Sequence, residues 1–188
     1  GGKAALAAED ALIPALAAEA AKLAPGAGGL VALDWFNGRR TPDANHTLKG
    51  AVTGLNLGTD APRMFKALVE ATAFGAKRIV ERFHSEGVTI RQVIGIGGVS
   101  KKSPFVMQTL ANVLNMPIKI VQSEQACALG AAVCAATAAG IYPDMSTAQA
   151  AMASGYDAEF QPQAEKVGVY EKLYGRYVAL GEFVEGRG

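Results

Sequence analysis

"RQVIGIGGVSKKSPFVMQTL", residues 91–110, is the stretch that decides how this chain folds. The apolar run VIGI (93–96) passes into the glycine pair Gly97 and Gly98. Two lysines follow, then Ser103-Pro104 and a helical pattern. A short continuous apolar run predicts a strand covered on both faces. Ser103 is a natural N-cap and Pro104 a natural first helical residue. Phe105, Val106, Leu110, Ala111 and Leu114 then supply that helix's buried side. A strand, a glycine turn and a capped helix are a common device for gripping phosphate or nucleotide.

Two phosphate-binding patterns can be tested on these residues. A dinucleotide fingerprint, G-x-G-x-x-G, begins at Gly95 and Gly97 but meets Ser100 where its last glycine belongs. No acidic residue follows in "IKIV" (118–121) for a ribose contact. A P-loop counted from Gly95 also meets Ser100 at its second glycine, and Lys102 stands where Ser or Thr belongs. Two readings of the glycines stay open. They let the chain turn sharply before a capped helix, or they form a bare floor for a flat ligand such as adenine or ribose.

Working outward, residues 60–84 form the clearest helix. Thr59 or Asp60 can cap it and Pro62 fits its first turn. Arg63, Lys66, Glu70, Lys77 and Glu81 share one narrow polar side, which predicts a helix packed on two sides. Residues 4–24 read as an amphipathic helix with a kink or break at Pro14. Residues 30–36 and 50–59 read as strands or extended segments. "IKIV" is a further strand, and 124–139 a helix ended by Gly140. A short helix follows, capped by Ser146, and a last one runs over about 163–184. About four strands among so many helices is a thin sheet.

Half of the 188 residues are hydrophobic, which fits a globular chain. The net charge is +1, from 18 basic and 17 acidic residues, and no basic run exceeds two residues. Nucleic acid is therefore not an expected partner. The alanine-rich start carries Glu9, Asp10 and Glu19, unlike a signal peptide. "ACALGAAVCAATAAG" (126–140) is too short for a membrane span, so a cytoplasmic protein with no membrane partner is expected. Cys127 and Cys134 stand about 10 Å apart along one predicted helix, too far for a disulfide. Both read as small buried residues. His46 and His84 are isolated, so no metal site is expected.

Three segments in order resemble the C-terminal domain of the FGGY family of carbohydrate kinases. "GLVALDWFNGRRTPDANHTLKGAVTGLNLGTDAPRMFKALVEATAFGA" (29–76) resembles the run into that domain's central helix. "GIGGVSKKSPFVMQTLANVLNMPIKI" (95–120) is similar to the superfamily's adenosine motif, and "VQSEQACALGAAVCAATAAG" (121–140) to its second connecting helix. Gly50, Val52, Gly54, Leu55, Met64, Ala67, Val69 and Glu70 fit the family's second signature, while Arg63 and Leu68 depart from it. In the connecting helix the matches are Glu124, Ala128, Leu129, Gly130 and Ala131. The likeness extends from Leu12 to Phe183.

The resemblance implies an α/β fold: a partial actin-like, ribonuclease H-like ATPase domain of the sugar kinase/Hsp70/actin superfamily, helix-rich with about four strands. Residues 1–188 would be one domain, the nucleotide-binding C-terminal lobe of a two-lobe sugar kinase. The early strands of that lobe and the sugar-binding lobe would lie outside this chain. ATP with Mg2+ would be the cofactors, a pentulose the substrate, and a homodimer a possible assembly. Gly97, Gly98, Lys102 and Ser103 are the implied nucleotide contacts, with either Lys102 or Ser103 in the place of the family's asparagine. Lys101 and Lys102 read as solvated neighbours and not phosphate clamps. Gly130, Ala131 and Ala132 would let the connecting helix pack closely at an interdomain hinge. No catalytic residue is expected here. "LGTD" (57–60) reads as a helix cap, and Asp34 has no partner acid at a useful spacing.

Overall fold

A computed structural model describes residues 2–187, with side chains from residue 11 onward. The N-terminal helix α1 (Gly2–Lys22) leads into a glycine-rich turn and a short strand, β1 (Val31–Ala32). β1 pairs antiparallel with β2 (Val52–Thr53), setting Val31 opposite Thr53. The long helix α2 (Ala61–Ser85) follows, then β3 (Val93–Gly95), the one-turn helix α3 (Gly98–Lys102) and α4 (Pro104–Leu114). Next come β4 (Ile118–Val121), α5 (Ala126–Ala138), α6 (Met145–Met152), β5 (Tyr156–Phe160) and α7 (Ala164–Glu185). The second sheet has the order β3-β4-β5, with β3 parallel and β5 antiparallel to β4.

α2 is the axis of the domain. Asp60 caps it by accepting the Arg63 N–H at 2.9 Å, and Pro62 sits in its first turn. Its small residues Ala67, Ala71 and Ala73 are buried and let α1, α4 and α7 approach closely. Phe74 is the aromatic hub, its ring centroid 5.5 Å from that of Tyr177 and 5.9 Å from that of Tyr174. Burying one such side chain contributes about 1.5–3 kcal/mol. Around this hub Leu30, Leu33, Trp35, Val113 and Leu173 form the main core. A smaller core of Met107, Ala111, Ile118 and Ile120 lies beneath the three-stranded sheet.

Several expectations need correction. α1 runs without a break across Pro14, and Leu12 and Ile13 on it are exposed. The VIGI run is not covered on both faces: Ile94 in β3 is 45% exposed and Ile96, just after it, 57%. A fifth strand, β5, was not anticipated, because "YDAEF" reads as polar. It is an edge strand, paired on one side by β4, and its polar side chains suit that exposed edge. Asp144, not Ser146, caps α6 by accepting the Thr147 N–H at 2.7 Å. The buried side of α4 is centred on Met107, Ala111 and Val113, with Thr109 and Asn112 beside them. Cys127 and Cys134 are free and exposed, not buried, because α5 packs chiefly on α6 and leaves its other faces open.

The signature residues carry much of the packing. Gly54 has φ 83, and a Cβ there would lie 2.3 Å from the carbonyl oxygen of Gly29, so only glycine fits. Glu70 accepts the Gly26 N–H at 3.1 Å, and the Lys66 ammonium lies 3.9 Å from it. Both side chains are buried. Burial pushes the Glu70 carboxyl up, opposed by the Gly26 amide and by Lys66. Burial likewise pushes the Lys66 ammonium down. Lys66 also donates to the Ala20 carbonyl at 3.3 Å and lies 5.0 Å from the centroid of the Phe105 ring.

Candidate functional site

β3 ends at Gly95, where a Cβ would lie 2.7 Å from Ile120 Cδ1 and 3.2 Å from Ser100 Cβ, so a side chain there would push on the Ile120 tip. Gly97 has φ 83 and ψ 178, a region open almost only to glycine, and it turns the chain into α3. Ser100 is buried, and its hydroxyl donates to the Gly97 carbonyl at 2.7 Å. The residue that breaks both phosphate-loop patterns therefore locks this turn. The Ser103 N–H donates to the Val99 carbonyl at 3.0 Å and closes α3. The Ser103 hydroxyl accepts the Val106 N–H at 3.4 Å and opens α4. One residue joins the two helices.

A cavity of about 490 Å³ opens where this turn meets α1 and α2. Gly98, Val99, Lys102, Ser103 and Val106 form one wall, Ile13, Pro14 and Ala17 of α1 another, and Phe65 of α2 a third. Three of the four anticipated contacts, Gly98, Lys102 and Ser103, are thus brought together. Gly97 does not line the space; it shapes the turn behind it. A Cβ on Gly98 would meet nothing within 4 Å, so its surface faces open space. The α1 residues and Phe65 lie far away in sequence, and only the amphipathic pattern of α1 hinted at them. Phe65 stacks on Phe105 with ring centroids 6.3 Å apart. Exposed Ile13 and Val99 leave apolar area at the mouth of the cavity.

The two lysines of the turn differ. Lys101 is not a solvated neighbour: it donates to the Asp157 carboxylate at 3.0 Å and to the Gln122 carbonyl, tying α3 to the β4–β5 side. Lys102 is exposed at the rim, and no ion pair among the described residues holds it.

Reactive groups are sparse. Asp34 lies by a separate cavity of about 220 Å³, and its Oδ1 accepts the Tyr177 hydroxyl at 2.9 Å. A Cβ on Gly75 would fall 2.6 Å from its Oδ2, so the carboxylate is seated on α2. Burial pushes the Asp34 carboxyl up. Residues 57–60 act as a cap on α2 through Asp60. Among the described residues no three His, Cys, Asp or Glu side chains cluster as metal ligands. No helix there is long and apolar enough to cross a membrane. The arrangement can hold a ligand against hydrocarbon and present one ammonium; it holds no acid–base pair.

Comparison with known proteins agrees with this geometry. The profile of the C-terminal domain of the FGGY family of carbohydrate kinases matches residues 3–139. A ribulokinase of Vibrio parahaemolyticus is 50% identical over 155 residues, covering 82% of this chain and 27% of that protein. A ribulokinase of Halalkalibacterium halodurans is 41% identical over 174 residues, covering 90% of this chain and 31% of that protein. A solved xylulose kinase from Rhodospirillum rubrum superposes with a TM-score of 0.80 at 28% identity, over 94% of this chain and 35% of its own. The chain thus spans about a third or less of the length of these relatives.

Proposed function

The chain belongs to the FGGY family of carbohydrate kinases, and from that premise we propose that it is the nucleotide-holding C-terminal part of an ATP-dependent ribulokinase. The full protein would transfer the ATP γ-phosphate to L-ribulose, giving L-ribulose 5-phosphate for arabinose catabolism in the cytoplasm. The cavity at Gly98, Lys102 and Ser103 carries this reading: it is lined mostly by hydrocarbon, opens to solvent and has a glycine floor. Such a space suits a purine and ribose. Likeness to two ribulokinases supports the choice of sugar.

Within this reading the chain's residues bind and orient, and do not react. Gly98 leaves room for the nucleoside, Phe65 and Val106 exclude water from it, and Lys102 supplies one donor. Phosphoryl transfer needs a carboxylate and further phosphate-gripping groups. With no acid pair at this cavity among the described residues, we assign these, and the sugar site, to parts of the full protein other than this cavity. Mg2+ would arrive on the nucleotide phosphates, since the described residues offer no ligand cluster for it.

A second reading, a xylulokinase, is favoured by the superposed xylulose kinase. One assay separates the two: ADP release by the full-length protein with L-ribulose or D-xylulose as acceptor. We expect the larger kcat/KM with L-ribulose. A preference for D-xylulose selects the second reading, and no sugar-dependent ADP release with either overturns both.

A further inference from the structure

We propose that another cavity, of about 340 Å³ between the end of α1, α2, α4 and the start of α7, binds a small organic anion by its carboxylate or phosphate group, gripped by Lys66 and Lys166. The site is separate from the nucleotide seat and does not depend on it. Phe105 borders this cavity, and Phe65, stacked on Phe105 with ring centroids 6.3 Å apart, borders the seat. The aromatic pair stands between two neighbouring spaces.

Two ammonium groups meet here. Lys66 is only 4% exposed, yet it lines the cavity. An ammonium carries three donor hydrogens. The Ala20 carbonyl takes one of them at a long 3.3 Å. The Glu70 carboxylate stands 3.9 Å away, beyond hydrogen-bond reach, and is turned to the Gly26 N–H. Lys66 thus keeps donors for a guest. Lys166, half-buried in the first turn of α7, lines the same cavity. Burial pushes the Lys66 ammonium down; Glu70 opposes this, and the like charge of Lys166 adds to it. An anion between the two lysines would relieve that repulsion.

The surroundings fit such a guest. Gln163, the N-cap of α7, lines the cavity and makes no side-chain cap bond, so the positive end of that helix adds to the same potential. Glu165, in the same turn, is exposed. Gln108 donates to Asn112 Oδ1 at 3.1 Å and to the Gln161 carbonyl at 2.8 Å, and Asn112 donates to Gln163 Oε1 at 3.2 Å. These bonds hold α4 against the start of α7 and keep the walls in place. Leu23, Pro25, Phe105 and Phe160 supply hydrocarbon for the body of an organic anion. The acidic residues Glu9 and Asp10 lie about 16 Å or more back along α1 from Ala21 at the cavity wall.

The test is calorimetric titration of the full-length protein with inorganic phosphate and, separately, with citrate, at constant ionic strength against sodium chloride. Saturable binding of at least one is expected, and the tighter of the two tells a phosphate guest from a carboxylate guest. Lys166→Gln is expected to weaken it about tenfold or more, through loss of one charge-assisted hydrogen bond. Lys166→Arg is expected to restore most of it. Gly98→Asp, which blocks the nucleotide seat, is expected to leave it unchanged. Circular dichroism and Tm check that each variant folds. No saturable binding of either anion overturns the proposal, and so does binding unchanged in folded Lys166→Gln. Anion binding lost in folded Gly98→Asp places the anion in the nucleotide seat, which overturns this site and leaves the seat standing.

Discussion

The carboxylate of Glu70, on the central helix, accepts the backbone N–H of Gly26, forty-four residues away, at 3.1 Å. This bond ties the turn after α1 to α2. It gives a structural role to the acidic residue that closes the family's second signature. Lys66, one turn earlier, balances its charge and lies close to the Phe105 ring.

Removing one member of this buried pair leaves the other without compensation. Glu70→Ala is expected to destabilise the protein by about 3–5 kcal/mol. Glu70→Gln, which keeps an acceptor for Gly26, is expected to lose less. Urea denaturation of both variants measures the difference. Equal losses would show that the Gly26 bond contributes nothing beyond charge balance.

Gly97 and Gly98 are neighbours with different tasks. Gly97→Ala forces a side chain into a backbone region open almost only to glycine, and costs about 1–3 kcal/mol of stability. Gly98 has ordinary helical geometry and open space around its Cα. Gly98→Asp is expected to unfold at the wild-type temperature while losing nucleotide affinity in the full-length protein. Tm and a nucleotide titration on each variant separate the two effects.

Ser100→Gly would complete the G-x-G-x-x-G spacing from Gly95. The structure predicts the opposite of a gain. The variant loses the Ser100–Gly97 hydrogen bond and adds backbone freedom inside α3, a cost of about 1–2 kcal/mol. It acquires no affinity for a dinucleotide. Denaturation and NAD titration together check this, and a stabilised variant would contradict the role given to Ser100.

Burial raises the Asp34 carboxyl above its ordinary value of 3.8. On raising the pH through and above that value, the unfolded chain releases this proton before the folded one does. Asp34 therefore lowers stability progressively with rising pH, until the folded state also ionises. Asp34→Asn lacks this dependence while keeping an acceptor for Tyr177. Its stability relative to wild type is expected to rise as the pH is raised above the ordinary carboxylate value, and to level off once the folded wild type has ionised. Chemical denaturation across that range tests the sign.

Much of the architecture is legible in local pattern. The caps Asp60 and Ser103, the prolines after them, and the apolar runs of β3 and β4 each act over a few residues. The departures share a cause. β5 is a strand because β4 offers it an edge, although its own residues are polar. Cys127 and Cys134 are exposed because no element among the described residues covers their side of α5. Lys66 and Glu70 look like a surface i,i+4 pair, yet α1, α4 and α7 bury them. Periodicity states which side chains share a face. It does not state what will pack against that face.

The candidate site divides along the same line. The amino-acid sequence by itself determined the turn: a glycine, Gly97, where the backbone takes a positive φ, a serine and a proline that start α4, and the ordered segments that mark the family. Backbone sterics and capping act between near neighbours, so they can be read from the chain. Only the tertiary structure decided that the turn faces Ile13, Pro14 and Ala17 of α1 and Phe65 of α2, and that Lys101 is tied down while Lys102 is exposed at the rim. Those outcomes depend on how distant helices pack, which is set by burial summed over the whole domain and not by any local run of residues.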